Sequence, residues 1–315
     1  MTPGASFPFM LYSGELRAEA VAEFDLAEYL HHRQEIVNNE LERAVLPAYP
    51  EQLFDSMRYS LMSGGKRLRP ALCIAGCEAG GGTAETALAC ACALEMLHTA
   101  TLIHDDLPAM DNDDYRRGRL SNHKVFGEAI ALLAGDALLA YSLEFLMLNT
   151  RGVPPDRMLR VMQILIQMVG VDGAVGGQVV DLSYEGRDID LETLEYIHTH
   201  KTGALLVAAV VTGAVLAGAD EDTITRLRSY AQKLGLAFQI VDDILDVTST
   251  REVLGKTPHK DEQAGKATFP RLLGLDASRR RAAELITDAK RDLAPLGVRA
   301  VPLLAIADFV GVRMS

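Results

Sequence analysis

Apolar residues in this chain recur three and four positions apart, as in Leu132, Leu133, Ala137, Leu138, Ala140, Tyr141 and Phe145, which share one side of a helix. No sustained run alternates with period two, so the sequence predicts an all-α fold. Breaks fall at Gly64-Gly65, Gly80-Gly81-Gly82, Gly152 to Pro155, Gly186 to Asp190 and Thr248 to Pro270, and each supplies turn chemistry between helices. None is long or polar enough for an interdomain linker, and no internal repeat is visible. Residues 1–315 are therefore read as one domain of about ten or more helices. Asp190 is a candidate N-cap for a helix that runs through His200 and ends near Lys201. The uncharged stretch from Thr202 to Ala219 is close to a membrane span in length. It is rich in Ala and Gly and lacks aromatic flanks, so it reads as a buried helix and no integral membrane segment is expected.

Acidic residues outnumber basic ones, 43 against 31, for a net charge of -12. That balance argues against a nucleic-acid partner, whose phosphates need clustered Lys and Arg. An anionic substrate would need local help from a divalent metal or a small basic cluster. Cys73, Cys77, Cys90 and Cys92 crowd into one Ala-rich helical stretch, which suits reduced, buried thiols. The segment Met1 to Arg17 shows no basic end followed by an apolar core, so a cytoplasmic protein is expected.

Two acidic clusters carry most of the functional information. In the first, Asp105, Asp106, Asp111, Asp113 and Asp114 follow the apolar run Leu94 to Ile103. A charge run is ordinarily a solvated helix end. Here Pro108 removes a backbone donor and breaks the helix, so Asp111 can fold back beside Asp105. In the second, Asp242, Asp243 and Asp246 follow Leu234 to Val241 with no breaker, and Asp242 and Asp246 share a helix face. Like charges so placed are mildly destabilising unless a cation sits between them. Magnesium takes one or two carboxylates and completes its shell with water and phosphate oxygens, so two such helix ends could hold several ions around one diphosphate.

Basic groups stand beside these acids. Gly64-Gly65-Lys66-Arg67-Leu68-Arg69-Pro70 places three cations after a flexible pair, and Arg116-Arg117 follows the first cluster directly. Arg grips phosphate bidentately and Lys adds a mobile point charge. Lys201-Thr202 and Lys256 flank the second acidic helix in sequence and offer further contacts.

These stretches, with Asn122-His123-Lys124-Val125-Phe126-Gly127-Glu128, Gly177-Gln178 and Phe238-Gln239-Ile240-Val241-Asp242-Asp243, resemble the all-trans isoprenyl diphosphate synthase family from about Leu53 to the C-terminus. The geranylgeranyl diphosphate synthase branch is the nearest match, and its first Asp-rich motif carries the same four-residue insert. The resemblance implies a helical bundle around a central substrate cavity, a homodimer, and a reaction joining isopentenyl diphosphate to an allylic diphosphate. It implies that Asp105, Asp106, Asp111, Asp242, Asp243 and Asp246 bind magnesium, three ions per site, with Mn2+ able to substitute. Arg116, Lys201, Thr202, Gln239 and Lys256 match the allylic site, and Lys66, Arg69, His98 and Arg117 match the isopentenyl diphosphate site. Read alone, His98 would be a satisfied helix histidine. Gln178 and Asp181 match a pair near the cation and its waters. Thr257-Pro258-His259-Lys260-Asp261 departs from the family pattern and weakens any role for Lys260.

The catalytic groups implied are Asp105, Asp106, Asp111, Arg116, Lys201, Asp242 and Lys256. In the reaction the resemblance implies, the allylic C–O bond ionises, the isopentenyl double bond attacks, and a proton is lost to the released diphosphate. In the family resembled, the position five before the first Asp gates product length; here it is Ala100, about 7.5 Å deeper along the helix, with Thr101 beside it. A small residue there leaves room for a C20 product, with C15 the alternative. A terpene cyclase would ionise the same substrates but needs no isopentenyl site, which Lys66, Arg69 and Arg117 supply. A non-catalytic regulatory subunit would not need intact acidic clusters.

Overall fold

A computed structural model describes residues 23–248 and 267–313. Its helices, in chain order, are α1 (Leu26–Ala44), α2 (Glu51–Leu61), α3 (Leu68–Ala79), α4 (Ala84–Asp105), α5 (Asn122–Phe126), α6 (Glu128–Asn149), α7 (Pro155–Val169) and α8 (Ala174–Ser183). There follow α9 (Leu191–Ile197), a π-helical segment (His198–Gly203), α10 (Ala204–Ala217), α11 (Glu221–Thr248), α12 (Phe269–Leu273), α13 (Leu275–Asp292), a 3-10 segment (Ala294–Ala300) and α14 (Val301–Val312). The only strands among the described residues, β1 (Tyr115–Arg116) and β2 (Arg119–Leu120), form one small antiparallel hairpin after the first acidic cluster. The all-α expectation holds.

The layering follows from which helices are apolar all round. α10 has no charged residue and buries everything from Ala204 to Leu216, so it must lie in the centre. It packs on α3, α11, α7 and α4. α4 is buried along most of its length and lies against α6 and α3. Thr83 caps α4 by accepting from the Thr86 N–H. All four cysteines are unpaired and buried, and the Cys73 and Cys90 sulfurs lie 3.9 and 3.4 Å from Thr212 Oγ1. Among the described residues, five helical stretches are long and apolar enough to cross a membrane by length and composition. Two of them, Ala84–Asp105 and Leu191–Ala217, are mostly buried in this core.

Asp190 caps α9 by accepting from the Thr193 N–H at 2.8 Å, which satisfies one of the unpaired amides of the first turn. The expected end near Lys201 is corrected: α9 passes through the π segment into α10 without a break. A π turn takes up one extra residue inside a helix, and Gly203 stays helical because the apolar residues after it are buried.

Candidate active site

α4 stops at Asp105 because Pro108 cannot continue it. The chain reverses, with Met110 and Asn112 N–H donating to the Leu107 carbonyl at 2.9 and 3.1 Å and Asn112 in the left-handed region. The Asp111 N–H then donates to the Asp105 carbonyl at 2.9 Å, so the later Asp lies beside the earlier one as the sequence predicts. Burial pushes the Asp105 carboxyl up to about 6, with Lys201 opposing the rise and Asp111 adding to it. Asp106 is 2% exposed, and its Oδ1 accepts from both Nε (2.9 Å) and Nη2 of Arg116. Burial also raises the Asp106 carboxyl, against the pull of Arg116.

α11 carries Gln239, Asp242, Asp243 and Asp246, and the three carboxylates meet different surroundings. Asp242 Oδ1 accepts from Arg313 Nη2 at 2.8 Å. Asp243 Oδ2 accepts the Phe269 N–H at 2.9 Å and lies 3.2 Å from His198 Nε2, while the His198 ring stacks on Phe269. Asp246 is buried, and its Oδ1 has no hydrogen-bond partner. From the π segment Lys201 Nζ reaches Asp181 Oδ2 at 2.5 Å. Both amide atoms of Gln178 are buried without a partner. Gly177 explains this closeness, since a Cβ there would stand 2.2 Å from the Lys201 backbone nitrogen.

One cavity collects much of this set: Asp111, Asp181, Lys201, Thr202, Gln239 and Asp243 line it together. Arg69 Nη1 lies 3.2 Å from His98 Nε2. Burial, then the charges of Arg69 and Arg117, hold the His98 ring well below its usual pKa, so it stays neutral and its Nε2 can accept from Arg69. Lys66 is not brought to the Asp111 cavity; it is exposed beside an apolar groove with Leu68, Phe238 and Arg313. Ala100 has no exposed surface, and the Thr101 hydroxyl donates to the His98 carbonyl at 2.8 Å. Lys256 and Lys260 lie outside the described residues. Sequence reasoning missed His198 and Arg313, whose partners are 45 and 71 residues away along the chain.

Among the described residues no three carboxylate, imidazole or thiol groups converge as a ready metal cage. A metal ion held by Asp105 would have to displace its proton, so in that case affinity for Mn2+ is expected to fall about fourfold between pH 7.5 and pH 5.5, given a carboxyl near 6. Titration followed by electron paramagnetic resonance checks this, and a pH-independent affinity would contradict it.

A helical bundle that brings two acidic helix regions and a lysine to one cavity has the build of a prenyltransferase. A "Dimethylallyltranstransferase" of Fischerella ambigua is 58% identical over 293 residues, covering 93% of this chain and 85% of that protein. A "Geranylgeranyl diphosphate synthase" of Cyanophora paradoxa is 53% identical over 288 residues, 91% of this chain and 96% of that protein. The crystal structure of an FPP/GFPP synthase from Zymomonas mobilis superposes with a TM-score of 0.82 at 36% identity, over 92% of this chain and 99% of that one. The polyprenyl synthetase pattern matches residues 50–295, and the chain belongs to that family. It is a trans-prenyltransferase.

Proposed function

We propose that the chain condenses isopentenyl diphosphate with allylic diphosphates and that its main product is geranylgeranyl diphosphate. The observation that carries this reading is the single cavity reached by Asp111 from one acidic cluster and by Gln239 and Asp243 from the other, with Lys201 and Thr202 between. Asp105, Asp106, Asp111, Asp242, Asp243 and Asp246 would hold magnesium, about three ions shared with the diphosphate as in the family. Asp246 Oδ1, buried without a protein partner, is an oxygen that a cation or its water would satisfy. Bound magnesium supplies the Lewis acidity that draws the diphosphate away from carbon.

The chain's own residues do the rest. Arg116 and Lys201, held beside Asp106 and Asp181, can turn their donors to the diphosphate as charge develops on it. Thr202 and Gln239 orient the allylic diphosphate from the same wall. Arg69, Lys66, Arg117 and the neutral His98 bind isopentenyl diphosphate. Apolar helices keep water from the cation. The proton lost from the new chain passes to the released diphosphate, because among the described residues no side chain is placed as an evident base.

Exposed Leu132, Leu133, Met147 and Leu148 on α6 and Leu159 and Ile166 on α7 are apolar surface that supports a homodimer. The four reduced thiols suit the cytoplasm. Incubation with isopentenyl diphosphate and dimethylallyl, geranyl or farnesyl diphosphate, followed by chromatography, is expected to yield C20 product from each primer. Chelator should stop it and magnesium restore it. Full elongation in chelator, or product formed without isopentenyl diphosphate, would contradict the reading.

The relatives' names cover several product lengths, so length must be set locally. Ala100 lies on α4 five residues before Asp105 and is fully buried. Ala100→Phe is expected to shift product from C20 toward C15, with about 1–3 kcal/mol lost to overpacking. An unchanged product profile would remove Ala100 from that role.

A further inference from the structure

A second polar cluster is buried beneath the basic segment. Glu95 stands on α4, three residues before His98, and its side chain is 2% exposed. A buried carboxylate needs cationic partners, and Glu95 has two on one oxygen. Arg67 Nη1 donates to Oε1 at 2.6 Å, and Arg117 Nη2 lies 3.7 Å from the same atom. Arg67 Nε donates to Asn38 Oδ1 and its Nη2 to the Leu61 carbonyl, both at 2.8 Å. All three guanidinium nitrogens of Arg67 are thus engaged inside the protein, and the side chain is 1% exposed. Arg67 is therefore not a substrate contact, although it sits between Lys66 and Arg69.

The backbone supports the same conclusion. Arg67 has φ 50 and Arg117 φ 53, the left-handed region that non-glycine residues avoid. Such strain persists where the surroundings hold the residue firmly, and here both side chains are anchored at Glu95. Arg117 also donates to the Gly64 carbonyl, and a Cβ on Gly65 would stand 2.6 Å from its Cζ. Arg117 is thereby set between Glu95 and the Gly64-Gly65 turn. Arg69 shares this field: burial lowers its guanidinium to about 10, and Glu95 opposes that fall. Three arginines around one carboxylate leave a net positive cluster that is held in register yet still attracts an anion.

We propose that Glu95 is the positioning residue of the isopentenyl diphosphate site, fixing Arg117 directly and the Lys66 to Arg69 segment through Arg67. The inference rests on the proposed function and adds a buried carboxylate to it. Its test is steady-state kinetics of the full chain with each substrate varied in turn. Glu95→Gln is expected to raise KM for isopentenyl diphosphate about tenfold, the effect of one charged contact, with KM for the allylic diphosphate unchanged within about twofold. That variant leaves Arg67 buried without its carboxylate and lowers folding stability as well. The double variant Arg67→Met with Glu95→Gln removes both buried charges at similar volume. Arg117 still lacks its anchor there, so the same selective rise should persist in a folded chain. Glu95→Asp, which keeps the charge, should recover part of the affinity. A parental KM for isopentenyl diphosphate in the double variant, or equal rises for both substrates, overturns the proposal. Absence of condensation by the parent chain would instead overturn the enzyme reading on which it rests.

Discussion

Asp105→Asn is expected to lower kcat for prenyl transfer about a thousandfold, the scale seen when a group that stabilises developing charge is lost, while the metal-free chain melts no lower than its parent. The two halves of this expectation share one cause. Burial holds the Asp105 carboxyl near 6 rather than 3.8, so the metal-free fold disfavours its ionised form. The stability contributed by the neutral carboxyl is fully present below its ordinary pKa and is lost as pH rises through about 6. At pH 7.5 that loss is complete, and a neutral amide does not suffer it. Calorimetry in chelator and a product assay in magnesium measure the two halves separately. A kcat within about tenfold of the parent would remove Asp105 from the metal-binding set.

Gly177→Ala is expected to lower kcat/KM about a hundredfold without loss of helix, because small misplacements of catalytic groups are amplified in rate. A Cβ at this position would stand 2.2 Å from Lys201 N and 2.7 Å from Lys201 Cα. Those are backbone atoms of the π segment and cannot swing aside. α8 must therefore back away, taking Gln178 and Asp181 from the lysine whose Nζ now lies 2.5 Å from Asp181. Far-ultraviolet circular dichroism and kinetics together give the answer. Parental kinetics in a folded Gly177→Ala chain would show that this close approach has no bearing on the chemistry.

What could be read from the residues was local. Pro108 announces the chain reversal because it lacks an N–H, and Asp190 announces α9 because its carboxylate can meet an early amide. The central burial of α10 follows from an uncharged stretch too short and too poor in aromatics for a membrane. The π segment left no such mark, since one extra residue inside a helix needs neither Gly nor Pro. Helical spacing placed Asp242 and Asp246 on one face but could not tell their surroundings apart. One is paired with Arg313 from the end of the chain, and the other is buried with an unmatched oxygen. Asp243 is likewise tied to Phe269 and His198, contacts made only once the π segment, α11 and α12 have packed. The arginines of the basic segment looked alike in sequence, yet Arg67 points inward to Glu95 while Arg69 meets His98.

If both acidic clusters serve one diphosphate, Mn2+ counted by electron paramagnetic resonance should rise when inorganic diphosphate is added to the parent chain. The added ions should be reduced by Asp105→Asn on one helix and equally by Asp242→Asn on the other. Retention of the full diphosphate-dependent complement in either variant would mean that the clusters do not act on a common ligand.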